Sequence, residues 1–241
     1  MVSLSLLLLV ESRFGGWDAQ PLRGAPLRRR QIFIDIGTNN GLSVLRFLSV
    51  PGVEPPLRSA GPKRRGDWHV AMIEANPFHA ERLEAMARDV ESFGHSAQLL
   101  TPLAVAAKDG GNITFYLDTW QSGTYAATTV ENSRSVSGEK ISVPAVDLAH
   151  LCGSLVFGGI KKEDYVVVKI DIEGAEYDVL LQAIEQDIPK LWDELYVEFH
   201  EDNDWVLRGT ALEHVSREKH AKIVAEMNSR YGLQVGDWDR R

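Results

Sequence analysis

Gln31-Ile32-Phe33-Ile34-Asp35-Ile36-Gly37-Thr38-Asn39-Asn40-Gly41 is an apolar, β-favouring run that ends near an acid and enters a turn bracketed by two glycines. Leu42, Leu45, Phe47 and Leu48 follow at helical spacing. The order predicts strand, tight loop, helix. Gly37 and Gly41 suit positions where a Cβ would obstruct a left-handed backbone or the approach of a ligand. The unpaired N–H groups of a helix starting at Leu42 would favour an anion over the loop. This reads as a nucleotide-type pocket, although a strand, a glycine turn and a helix also follow one another in α/β chains with no ligand there.

The spacing is Asp-x-Gly-x-x-x-Gly and not the Gly-x-Gly-x-x-Gly of dinucleotide enzymes. Asp35 is expected at the pocket mouth, where it would repel a pyrophosphate and tolerate a cationic ligand. S-adenosylmethionine, with its ammonium, sulfonium and single carboxylate, meets that condition.

With 241 residues, 44% of them hydrophobic and 25% charged, the chain suits one α/β domain. A net charge of −8 argues against nucleic acid as main partner, because phosphate contacts need clustered Lys and Arg. The basic clusters Arg28-Arg29-Arg30 and Lys63-Arg64-Arg65 lie in Pro- and Gly-containing company and read as solvated surface. The single cysteine, Cys152, excludes an intramolecular disulfide and a multi-cysteine metal site, and reads as core filler. The apolar Met1–Val10 segment is about half a membrane span and lacks a basic n-region. No firm membrane signal results. A cytoplasmic location is expected, or the secretory pathway if that segment is a truncated signal-anchor.

Further along, Trp68–Glu74 predicts a second strand ending in an acid, and Asn76-Pro77 supplies a helix cap and a proline at the first helical position. An acid at that strand end is where ribose hydroxyls bind in doubly wound sheets, which makes Glu74 the candidate. A third strand is expected in Ala97–Ala107, and Asn112–Leu117 alternates in the β manner. The Ser-, Thr- and Gly-rich Thr119–Lys140 segment reads as a flexible cover or a plain long loop. Ile141–Asp147 leads into a short helical stretch around Leu148–Cys152. Tyr165–Gly174 reads as a strand buried on both faces that again ends in acids, followed by a helix over Ala175–Gln186. In Glu194–His200 strict alternation puts Leu195, Val197 and Phe199 on one face and Tyr196, Glu198 and His200 on the other. A final helix over Leu212–Met227 and a closing strand in Tyr231–Asp237 complete the pattern.

Asp35-Ile36-Gly37-Thr38-Asn39-Asn40-Gly41, Ile73-Glu74-Ala75-Asn76-Pro77 and, most specifically, Val168-Lys169-Ile170-Asp171-Ile172-Glu173-Gly174-Ala175-Glu176 resemble, in order, the motifs of FkbM-type S-adenosylmethionine-dependent methyltransferases. The resemblance covers roughly residues 32–200. It implies a Rossmann-like class I methyltransferase fold in residues 31–241: an α/β domain with a mostly parallel seven-stranded sheet and helices on both faces, after an irregular segment 1–30. It also implies methyl transfer, typically to an oxygen of a small molecule or sugar. Asp35, Gly37, Asn39 and Gly41 would hold the methionine half of the cofactor and Glu74 its ribose. Asp171, Glu173 and Glu176 would face the transfer site. Thr38 stands where the family usually has Ala, and the 51–67 loop is long.

A hydroxyl acceptor must lose a proton, and His200 or Asp171 could take it, His200 being better matched to neutral pH. A structural histidine at a strand end is the plain alternative. No metal is assigned, although Asp171, Glu173, Glu198 and His200 have the chemistry to hold a hard divalent cation. The rival readings are an NAD-dependent oxidoreductase or epimerase, disfavoured by Asp35 and the missing third glycine, and a catalytically silent Rossmann-like module that has kept the cofactor loop. The expected partner is a small-molecule or glycan acceptor; the acceptor's identity and the oligomeric state are not in the sequence.

Overall fold

A computed structural model describes residues 29–49, 67–118, 127–128, 136–200 and 216–238. The calls on residues 1–28, most of 51–67 and most of 119–135 lie outside the described residues. Six parallel strands form the central sheet: β1 (Gln31–Ile36), β2 (Trp68–Ile73), β3 (Ser96–Leu100), β8 (Tyr165–Ile170), β9 (Glu194–Val197) and β10 (Val235–Asp237). Their spatial order is β10-β9-β8-β1-β2-β3, so the chain reverses direction across the sheet between β1 and β8. Ligands collect at that switch point, beyond the strands' carboxyl ends.

Apolar alternation along β1 builds a core on each face. Ile32, Ile34 and Ile36 pack with Val179, Leu180, Ala183 and Ile184 of helix α4 (Glu176–Glu185) and with Ile223 and Met227 of α5 (Ser216–Tyr231). Phe33 packs on the other face with Val44 and Phe47 of α1 (Leu42–Phe47) and with Leu83, Met86 and Val90 of α2 (Ala80–Ser92). There the Phe33 and Phe47 rings stack with centroids 3.8 Å apart, and Trp68 meets Phe47 edge-on. Helices thus cover both faces, as expected. Among the described residues no helix is long and apolar enough to cross a membrane.

Among the described residues the main sheet has six strands. The alternating segments do not extend it: β5 (Asn112–Asp118) pairs antiparallel with β7 (Val136–Val146). With β4 (Ala104–Val105) and β6 (Ala127–Thr128) they form a second sheet, ordered β4-β7-β5-β6, around its own small core of Ala104, Ala106, Phe115, Val143 and Ala145. Helix α3 (Leu148–His150), capped by Asp147, passes into a wider turn at Leu151–Leu155. Cys152 is buried there, as expected of a core filler.

The basic-cluster reading fails at Arg30. Its guanidinium binds the Asp164 carboxylate, which is 2% exposed, and donates to the carbonyls of Phe157 and Gly159 at 3.2 and 2.9 Å. Burial of Asp164 demands partners, and Arg30 and the Lys161 N–H supply them.

Candidate functional site

A cavity of about 280 Å³ opens at the carboxyl ends of β1, β2 and β8. Its wall includes Gly37, Asn39, Glu74, Asp171 and Glu173, with Ile113 and Phe115 reaching in from β5. Of the eight residues proposed from sequence, Asp35, Gly41 and His200 are outside this wall.

Asp35 is fully buried beneath the loop, accepting a hydrogen bond from the Ser43 hydroxyl and lying 3.4 Å from the Lys169 ammonium. It is not at the pocket mouth. Asp35 shares with Phe33 the face of β1 covered by α1 and α2, whereas Ile36, on the opposite face, lines the cavity. The glycines serve packing. A Cβ on Gly37, at φ +77°, would sit 1.7 Å from the Asp171 carbonyl oxygen, so the loop and the end of β8 touch there. A Cβ on Gly41, at φ +79°, would meet the Met86 side chain at 2.9 Å.

The loop's N–H groups turn inward instead of toward an anion. Gly37 and Thr38 donate to the Ile73 carbonyl, Gly41 to that of Thr38, and Leu42 to the Asn40 side chain. The six-residue α1 therefore offers no ready anion site of the kind expected. What the loop presents instead is Asn39, at φ +52°, whose buried Oδ1 has no hydrogen-bond partner among the described residues. A buried acceptor left without a partner in the wall suits a ligand group that carries N–H, an ammonium among them.

Glu74 ends β2 as expected and joins two segments. Its Oε2 accepts from the Asn39 N–H and its Oε1 from the Asn76 N–H, both at 2.7 Å. Burial pushes its carboxyl upward, and those two N–H groups work against the rise. Each oxygen keeps a second lone pair. Asn76 caps the turn Pro77–His79 by accepting from the Phe78 N–H at 3.0 Å, the cap expected from Asn-Pro.

After β8 the chain turns through Glu173 and Gly174, at φ +55° and +98°. The turn is organised by Glu176, which the resemblance placed facing the transfer site. Glu176 is instead fully buried outside the cavity wall, accepting from the N–H groups of Ile172 and Gly174 at 2.9 and 3.0 Å. Unpaired amides in the tight turn need an acceptor, and Glu176 opens the helix that follows. Its Oε1 also lies 3.0 Å from His200 Nδ1, while His200 Nε2 lies 3.3 Å from Glu173 Oε2.

His200 is thus clamped between two glutamates at 3% exposure, and the Tyr177 hydroxyl holds its carbonyl at 3.0 Å. Burial alone would lower its pKa, but Glu176 and Glu173 outweigh that and raise it well above the ordinary histidine value. Both ring nitrogens face glutamate oxygens, an arrangement that favours the imidazolium over the neutral ring. The role of neutral base expected from sequence does not fit this geometry. Glu173 does face the cavity, and burial raises its carboxyl, with His200 opposing the rise. A carboxylate in a sparsely populated backbone conformation, held from behind, is the kind of strained element found at functional sites.

Sequence reasoning missed Lys169. It is 2% exposed and donates to the Gly37 carbonyl at 2.9 Å and to Asp171 Oδ2 at 3.1 Å. The signal was present: a lysine inside a strand buried on both faces requires anionic company. Asp171, Glu198 and His200 can each offer a ligand atom, all within 4.8 Å of one another, a set able to hold a divalent cation. In this arrangement Lys169 already pairs with Asp171, and His200 Nε2 is turned to Glu173.

The model of the family described as Methyltransferase FkbM domain matches residues 35–233. No curated protein and no solved structure matches the chain.

Proposed function

Because the chain belongs to the FkbM methyltransferase family, we propose that the methyl group it transfers goes to a hydroxyl oxygen of a small molecule or sugar. It is an S-adenosylmethionine-dependent methyltransferase. The cofactor supplies an electrophilic methyl on a sulfonium; the protein has to seat it, admit an acceptor in line, and take the acceptor's proton.

Asn39 and Glu74 are suited to the first task, through an acceptor oxygen for the ammonium and a carboxylate for the ribose hydroxyls. Ile113 and Phe115 give the wall an apolar side against which the acceptor's carbon skeleton can rest. The observation that carries the hydroxyl reading is Glu173. Its carboxylate lines the cavity beside Asp171, and burial has made it more basic than a solvated glutamate. A nitrogen acceptor that is already neutral carries a nucleophilic lone pair and needs such a group only after transfer, whereas a hydroxyl oxygen becomes a good nucleophile as its proton leaves. Glu173 takes that proton, with Asp171 alongside and His200 fixing Glu173 in place.

The test is incubation with methyl-labelled cofactor and a panel of polyols, glycans, phenols, carboxylic acids and amines. Label recovered as a base-stable ether supports the reading. Label found only in a base-labile ester or on nitrogen overturns it.

A further inference from the structure

Within the otherwise apolar run Val166–Ile170, Lys169 stands beside Asp35 in the β1–β8 register and beside Tyr196 in the β8–β9 register. Its ammonium carries three N–H groups. Three oxygens surround it: Gly37 O at 2.9 Å, Asp171 Oδ2 at 3.1 Å and Asp35 Oδ1 at 3.4 Å. A lysine serving only to neutralise Asp35 would be expected to make its closest approach there. Its shortest contact is instead to a main-chain carbonyl of the glycine loop, and Asp35 is the most distant of the three.

Gly37 and the Asp171 main chain already touch, since no Cβ fits between them. Lys169 adds a polar tie at the same junction, between the Gly37 carbonyl and the Asp171 carboxylate. The lysine itself is absent from the cavity wall, so whatever it does there passes through these two residues.

We propose that Lys169 is a positioning residue that fixes the cofactor loop against the transfer-site acid Asp171, so that seating the cofactor and setting the acid are one event. The proposal rests on the methyltransferase reading above. Coupling of this kind is reciprocal: what holds the loop holds the acid.

The probe is S-adenosylhomocysteine, followed by calorimetry and by amide hydrogen exchange. In the wild type it should bind and slow exchange in both 37–41 and 171–175. In K169M affinity should fall tenfold or more, and protection should be confined to the glycine loop. K169M strands Asp35 without its counter-charge and is at risk of not folding, so D35N/K169M, which removes both charges together, provides the second variant. The same loss of affinity and of protection over 171–175 in the double variant is the expected result. Wild-type affinity and protection of both segments in D35N/K169M would make Lys169 a mere counter-charge for Asp35 and overturn the proposal. Failure of the wild type to bind S-adenosylhomocysteine would strike at the methyltransferase reading itself, a result distinct from either.

Discussion

His200 Nδ1 lies 3.0 Å from Glu176 Oε1, a buried pair in which the glutamate also shapes the turn carrying Glu173. One acid therefore holds both the His200 ring and the Ile172 and Gly174 amides on either side of Glu173, the residue that the ring's other nitrogen faces. Since the native pKa of His200 is raised above its unfolded value of about 6.5, its stabilising contribution is full below that value and is lost as pH rises through the native one. H200Q should destabilise the fold by on the order of 3 kcal/mol near pH 6, the scale for breaking a buried pair. The gap from wild type should shrink as the medium becomes alkaline. Thermal melts from pH 6 upward check this; a gap that stays constant or widens would mean the ring is neutral.

E173Q should keep S-adenosylhomocysteine affinity near wild type while lowering kcat by about a hundredfold or more, the scale of a positioned base. Single-turnover rates with the acceptor identified from the panel measure it. Turnover within threefold of wild type would take the base role from Glu173 and leave Asp171 to be tested.

Glu74 joins the Asn39 and Asn76 amides and faces the cavity. E74Q replaces one charged acceptor by an NH₂ group that opposes a backbone N–H. Losing hydrogen bonds to a charged group costs about 1.5–3 kcal/mol, so affinity for S-adenosylhomocysteine should fall about tenfold or more. Equal affinity by calorimetry would remove Glu74 from the ribose position.

G37A and G41A make a matched pair, both at positive φ. The added methyl at Gly37 meets main chain at 1.7 Å, whereas at Gly41 it meets the flexible end of Met86. Strain at φ is shared, about 1–3 kcal/mol; the collision with main chain is not. Denaturant unfolding should show G37A much the more destabilised, and equal effects would refute the packing account of the two glycines.

The Asp164 carboxyl feels burial, which raises it, and the stronger opposing pull of Arg30 and the Lys161 N–H, which leaves it below the ordinary value. Its contribution is present above pH 3.8 and is lost as pH falls through the lower native value. D164N should cost about 2 kcal/mol at neutral pH, less than a fully buried pair because Arg30 is partly exposed. The deficit should vanish in acid, as acid titration of stability will show.

The strands that carry the chemistry were legible because they are buried: Ile32–Ile36, Val70–Ile73 and Val166–Ile170 are apolar runs, and the acid at each end stands out against them. Roles were less legible than positions. Nothing local distinguishes Asp35, which points into the core, from Glu74, which lines the cavity; the difference is one of pleat and of what covers each face. Glu176 was placed at the transfer site by the resemblance alone, and nothing local corrects it, since turn-capping and catalysis both call for a carboxylate near a helix start. The partners of Arg30 and His200 lie 134 and 24 residues away in sequence, and no local pattern announces such pairings. The second sheet was missed for the same reason, since alternation marks a strand without saying which neighbour it chooses.

That second sheet divides the labour of the cavity. The acids hang from the carboxyl ends of the parallel strands, while Ile113 and Phe115 come from β5, a strand that among the described residues pairs within the smaller sheet and is seated on that sheet's own core. With the acceptor seated against Ile113 and Phe115 as proposed, reaction and recognition would be built on separate supports. Re-sculpting the β5 face would change which molecule is admitted while leaving the methyl-moving apparatus intact, so diversification of acceptors within such a scaffold can proceed by revising one hairpin.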